Sequence, residues 1–276
     1  MTDPRLTPSN GRVAALDLAG QVEAERYVEG ERRRVLVPVA DLDRKPGGQR
    51  DRQILFGTLV TVLEDRDGWS FVQSLRDSYV GYVRTTALGP ARDATHVVAT
   101  PATHLYETES FKSRDLAHLS FGARVTVLHE LKRFWETPDG FIPKSHLRPV
   151  SRPFTDPVTV AQMHFGVPYL WGGNSVLGID CSGLVQAALL ACDITCPGDS
   201  DLQRAMLGQD LSEAEEARRG DLYFWKGHVG MVVDTETLIH ANAHHMAVVY
   251  EPLRQATLRI EAQGDGPVIA RKRLQT

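Results

Sequence analysis

The stretch Pro168-Tyr169-Leu170-Trp171-Gly172-Gly173, followed shortly by Asp180-Cys181-Ser182-Gly183, decides how the chain reads. Beyond Asp180, residues Leu184, Ala187, Ala188 and Ala191 recur on one side, the pattern of a helix that starts just after Asp180. Cys181 therefore sits at a helix start. Free N–H groups and the helix dipole there favour a thiolate. A backbone N–H at the same place can also hold an oxyanion. The ordinary fate of a free cysteine is burial as a small apolar side chain. Asp180, Ser182 and Gly183 make a poor context for that, which turns the reading towards a nucleophile.

A thiol nucleophile needs an imidazole to take its proton and a third group to orient the ring. His228, in Gly227-His228-Val229-Gly230-Met231, comes after the run Gly220-Asp221-Leu222-Tyr223-Phe224-Trp225. His240 lies twelve residues further on, in Leu238-Ile239-His240-Ala241. That spacing lets two antiparallel strands pair across a tight turn and sets the rings side by side. A lone strand histidine is ordinarily structural or exposed. Two at hairpin spacing, downstream of an Asp-Cys-Ser-Gly helix start, are candidates for base and orienting group. If His240 fails in that role, Asn242 is the nearest substitute.

Around these residues helices come first and strands after. Asp156-Pro157 opens a helix to about Phe165. Ser200-Asp201-Leu202-Gln203 fits a capping box and opens a short helix ending near Gly208. Strands are expected over 222–225, 228–234, 238–241, 248–250 and 268–271. This is an α+β plan.

Further upstream the chain repeats itself at an offset of 65 residues: Phe56-Gly57-Thr58-Leu59-Val60-Thr61-Val62-Leu63 against Phe121-Gly122-Ala123-Arg124-Val125-Thr126-Val127-Leu128. Each copy continues to a tryptophan (Trp69, Trp135), a Gly-aromatic-aliphatic triplet (Gly81-Tyr82-Val83, Gly140-Phe141-Ile142) and a closing leucine (Leu88, Leu147). The alternation is that of half-buried strands, so two small β-barrels are expected. The expected divisions are an N-terminal segment 1–30, barrels over 31–92 and 93–152, and an α+β domain over 153–276. A weakly amphipathic stretch around 13–22 reads as a helix of no assigned role. The basic clusters Arg32-Arg33-Arg34 and Arg271-Lys272-Arg273 read as solvated faces.

Tyr-x-Trp-Gly-Gly, Asp-Cys-Ser-Gly, Gly-Asp-Leu, His-Val-Gly and Ile-His-Ala, in this order, resemble the NlpC family of papain-like cell-wall cysteine peptidases. The repeats resemble the bacterial SH3-like domains found beside them. The resemblance implies Cys181 as nucleophile, His228 as base and His240 as orienting third member. It implies that Tyr169 lines the site and donates to the oxyanion, and that Trp171 of the same motif, Asp180 and Ser182 help to hold substrate. The tandem barrels are similar to the dipeptidyl-peptidase VI type, which cleaves γ-D-glutamyl–diamino acid bonds in murein peptides whose L-alanine has a free amine. On that resemblance Asp199 and Ser200 contact substrate and Tyr79 approaches the amine. Thr58 stands where the subfamily often has an acid, which leaves Asp180 to supply negative charge. No cofactor and no metal is called for. Competing readings are a general murein endopeptidase, an amidase or acyltransferase on the same scaffold, and an inactive wall-binding protein.

Bulk properties bound these readings. The 276 residues, 42% apolar and 24% charged, suit a globular protein of about two domains. A net charge of −4 recommends no nucleic-acid partner. Three cysteines, Cys181, Cys192 and Cys196, do not make a disulfide framework, and Cys192 and Cys196 lack zinc-site spacing. No secretory signal or membrane span is visible, so the expected location is the cytoplasm, with a role in wall recycling.

Overall fold

The computed structural model describes residues 3–212 and 214–274. It divides between Arg152 and Pro153 into two compact units.

The first unit is β-rich. A seven-stranded antiparallel sheet takes Arg50–Leu55, Val39–Asp43, Val80–Arg84, Trp69–Ser74, Leu59–Arg66, Glu31–Val35 and Leu88–Pro90 in that spatial order. Five-stranded and three-stranded sheets hold the segment from His96 to Pro149. The sequence repeat has a structural counterpart. Phe56, Gly57 and Thr58 donate through their amides to the carbonyls of Pro38, Val35 and Leu55; Phe121, Gly122 and Ala123 donate to Pro101, Val98 and Ser120. Gly57 and Gly122 both have positive φ, 75° and 82°. The two copies then differ. Phe56 packs with Val98, Leu105, Leu119 and Ile142, inside the second repeat's core. A Cβ on Gly57 would stand 1.9 Å from the Arg124 carbonyl oxygen, so this junction demands glycine on two counts.

Two expectations for this unit are corrected. The stretch around 13–22 is not a helix: Val13–Ala15 pairs in parallel with Arg26–Val28, and only Leu16–Leu18 makes a 3-10 turn. Val13 is fully buried against Leu63 and Phe71, so tertiary burial overrides a weak helical period. Nor is the first basic cluster a solvated face. Arg34 is buried and makes a two-pronged bond to Asp139 at 3.0 and 2.9 Å, while Arg33 pairs with Glu31 and Asp65.

In the second unit, helices α1 (Pro157–Gln162), α2 (Cys181–Ala191) and α3 (Ser200–Met206) precede most of the sheet. Asp156 caps α1 by accepting from the Val158 amide at 3.0 Å. The strands of its six-stranded sheet are β1 (Gln209–Asp210), β2 (Leu222–Trp225), β3 (His228–Val232), β4 (Thr237–Asn242), β5 (Ala247–Pro252) and β6 (Ala270–Arg273), with α4 (Leu253–Ile260) between β5 and β6. Their spatial order is β1-β6-β2-β3-β4-β5, all antiparallel. Small residues let α2 lie close on β3, β4 and α1, and its residues from Cys181 to Leu189 are all buried.

The second basic cluster is also structural. Arg273 reaches the buried Asp221 at 2.8 and 2.9 Å, and Lys272 pairs with Asp210. The Gly-Asp-Leu motif thus anchors β6 beside β2. The expected capping box at Ser200 is absent. Asp199 occupies the cap position without a side-chain bond to the helix, and Gln203 is buried, donating to the carbonyls of Ser182 and Pro197 at 2.9 and 3.0 Å.

Candidate active site

Cys181 is the first residue of α2, and Asp180 is its N-cap. One carboxylate oxygen of Asp180 accepts from the Gly183 amide at 2.6 Å and the Ser182 hydroxyl at 2.9 Å; the other accepts from the Gly172 amide at 2.9 Å. Asp180 and Ser182 therefore hold the helix start and the Trp-Gly-Gly loop together. A Cβ on Gly183 would meet the Gly173 carbonyl at 2.6 Å, so glycine is needed for this close approach.

Cys181 is 7% exposed, and its thiol points to the Gly227 carbonyl at 4.0 Å. Burial, together with the nearby Asp180 carboxylate, pushes the Cys181 thiol up to about 12. The amides of Val229, Ser182 and Cys181 itself act the other way without prevailing. Burial thus acts against the thiolate that the helix terminus favours.

His228 and His240 meet as the hairpin spacing requires. In the β3–β4 register Met231 faces Ile239, so both histidines point to one face of the sheet. The His228 Nε2 lies 2.9 Å from the His240 Nδ1. A further member, Glu251, was not singled out by the sequence. It stands on β5 two residues beyond Val249, the register partner of His240, and so shares its face. Its Oε2 is 3.0 Å from the His240 Nε2. Helix α4 packs over that same face through Ala256 and Ile260 against Leu238. From it Arg259 donates to Glu251 at 2.8 and 2.7 Å. Burial opposes ionisation of Glu251, but the bonds from Arg259 and His240 outweigh it and hold the carboxyl well below its usual range. No alternation in the sequence marks Glu251, because the strand's other buried residue, Val248, has the opposite parity.

These bonds fix the proton positions. An ionised Glu251 can only accept, so His240 carries its proton on Nε2 and presents a bare Nδ1. His228 then donates from Nε2, and its own Nδ1 is left as the basic nitrogen. Burial, then the neighbouring His240 and Arg259, depress His228 to about 3, so the ring is neutral at rest. Trp225 packs at 5.6 Å from the His228 ring.

Tyr169 reaches this region because residues 166–169 run along the outer edge of β5: Gly166 and Tyr169 donate to the carbonyls of Val248 and Met246, and Val248 donates back to Val167. Burial, then the charges of Cys181 and Asp180, keep its phenol protonated and able to donate. Trp171 is 63% exposed on the loop after it. Asp199 and Ser200 open α3, whose Gln203 donates to the Ser182 carbonyl. Tyr79 belongs to the first unit, where it is buried with the Arg52 guanidinium 5.2 Å from its ring centre. Asn242 is buried, with its Oδ1 accepting from the amide and ring of His245. Among the described residues no three His, Cys, Asp or Glu side chains are grouped to hold a metal, and no helix is long and apolar enough to cross a membrane.

This geometry agrees with comparisons to known proteins. The NlpC/P60 family model matches residues 166–261, and the model of the bacterial dipeptidyl-peptidase SH3 domain matches residues 42–88. A gamma-D-glutamyl-L-lysine dipeptidyl-peptidase of Bacillus cereus is 27% identical over 237 residues, covering 74% of this chain and 70% of that protein. Dipeptidyl-peptidase 6 of Lysinibacillus sphaericus is 33% identical over 85 residues, 31% of each chain. The crystal structure of an NlpC/P60 family protein from Bacillus cereus superposes with a TM-score of 0.74 at 20% identity, over 89% of this chain and 100% of that one, which is a likeness of fold. The chain carries an NlpC/P60 domain, together with a bacterial dipeptidyl-peptidase SH3 domain in a β-rich N-terminal region.

Proposed function

We propose that this chain is a cysteine peptidase that hydrolyses the γ-D-glutamyl–diamino acid amide bond of short murein peptides, with a free N-terminal L-alanine, in wall recycling. The observation that carries the reading is the oriented series His228, His240, Glu251, Arg259 beside the start of α2. The names of the dipeptidyl-peptidase relatives support the substrate class.

In the reaction His228 takes the Cys181 proton on Nδ1 as the sulfur attacks the γ-carbonyl carbon. The Cys181 amide and the Tyr169 hydroxyl donate to the oxyanion. The C–N bond breaks, and the leaving nitrogen receives the proton from His228. Water, deprotonated by the same ring, then hydrolyses the thioester and restores the thiol. Both groups start neutral, so the proton moves with attack and no resting ion pair is required.

The test is mass spectrometry of products from L-Ala-γ-D-Glu-L-Lys and its N-acetyl form. Release of L-Ala-D-Glu from the free peptide only is expected. Equal rates on both peptides would reduce the reading to a general murein endopeptidase. No cleavage of either would remove it.

A further inference from the structure

A cleft of about 650 Å³ opens beside His228, lined by Tyr169, Gly227, His228 and Asn242 together with charged groups from two loops. Cys181 does not line it. His228 must hand its proton to the departing nitrogen, so the released amine leaves on the imidazole's side of the thiol. The cleft lies on that side.

Its chemistry is mixed in a particular way. Lys226 and Asp265 both line it and both are exposed, and the Asp265 charge also acts on Arg259. Arg259 lines it too, but its guanidinium is taken up by Glu251 and by Gln263. Deeper in the wall, the Asn242 Nδ2 is buried and has no acceptor among the described residues, while its Oδ1 is satisfied by His245. A buried donor without a partner is costly, and a ligand carboxylate within reach would relieve it. A cation, an anion and an orphaned donor around a single cleft match a ligand that carries both a carboxylate and an ammonium.

We propose that this cleft is the leaving-group site and takes a diamino acid, with Lys226 and the Asn242 amide facing its carboxylate and Asp265 its ammonium. This rests on the peptidase reading above and adds the residues that choose the leaving amino acid.

The experiment uses the full-length protein and two peptides, L-Ala-γ-D-Glu-L-Lys and the same peptide ending in L-norleucine, which lacks only the side-chain amine. The kcat/KM ratio of lysine to norleucine peptide should be about fivefold, the ratio that an exposed ion pair supplies. It should fall towards one in Asp265→Asn. A second arm needs no turnover: ligand-detected NMR of free L-lysine and L-norleucine with the Cys181→Ala protein. Lysine should bind, norleucine should bind less, and Asp265→Asn should abolish the difference. Equal kcat/KM for the two peptides, or a ratio unmoved by Asp265→Asn, would overturn the site while leaving the peptidase intact. If neither peptide is cut, the peptidase reading falls, and the NMR arm alone decides the cleft: absence of lysine binding overturns it.

Discussion

The Nε2 of His240 lies 3.0 Å from a Glu251 carboxylate oxygen, and this bond fixes where the protons sit on two successive imidazoles. With Glu251 held ionised by Arg259, His240 must present a bare nitrogen to His228, and His228 must present one in turn. Glu251→Ala should therefore lower kcat by about 10- to 100-fold with little change in KM, because it frees the tautomers without touching substrate. His240→Ala should cost at least as much, and His228→Ala more, since it removes the base. A Glu251→Ala enzyme with wild-type kcat would show that His240 needs no carboxylate behind it.

The neutral resting pair has a signature in alkylation. With the Cys181 thiol pushed up to about 12 and His228 down to about 3, neither is ionised at neutral pH. The rate of Cys181 modification by iodoacetamide should therefore rise about tenfold per pH unit between pH 6 and 9. A rate that is flat across that interval would mean a thiolate–imidazolium pair already formed.

Acid should weaken the fold through the same residues. Burial depresses both His228 and His240 below the ordinary histidine value of 6.5. As pH falls below 6.5 the unfolded chain takes up protons that the folded one refuses, so stability present above 6.5 is lost progressively. Thermal unfolding should show Tm falling from pH 7.5 to 5, and falling less in His228→Gln. An equal fall in the variant would place the acid sensitivity elsewhere.

Close backbone approach at the helix start gives a stability prediction. An alanine at position 183 puts a Cβ 2.6 Å from the Gly173 carbonyl and 2.7 Å from the Asn174 side chain. Gly183→Ala should destabilise the protein by about 1–3 kcal/mol in denaturant unfolding. An unchanged midpoint would mean that the loop before Asp180 yields freely.

Much of this site is legible along the chain because its parts are local. Asp180 before an apolar-periodic run marks the helix start that presents Cys181, and the spacing of His228 and His240 marks a hairpin. The Phe-Gly pairs mark the repeat because each needs a positive-φ glycine. What the sequence hides depends on contacts between distant elements. Glu251 sits in Val249-Tyr250-Glu251-Pro252, where an acid near a strand end ordinarily faces water; only the β4–β5 register and the return of α4 make it a partner of His240 and Arg259. The thiol's protonation is hidden for a related reason. A helix terminus is visible in sequence, whereas the burial that acts against it is not. Arg34 and Arg273 look like surface charge until Asp139 and Asp221 are seen opposite them.

The most direct measurement is the rate of L-Ala-D-Glu release from L-Ala-γ-D-Glu-L-Lys by the full-length protein and its single-cysteine variants, tracked by mass spectrometry. Cys181→Ala should lower turnover by roughly 10⁴-fold or more with an unchanged unfolding midpoint, and Cys192→Ala should keep it. Turnover that survives Cys181→Ala, or that is lost in Cys192→Ala, would contradict the assignment of Cys181 as the nucleophile.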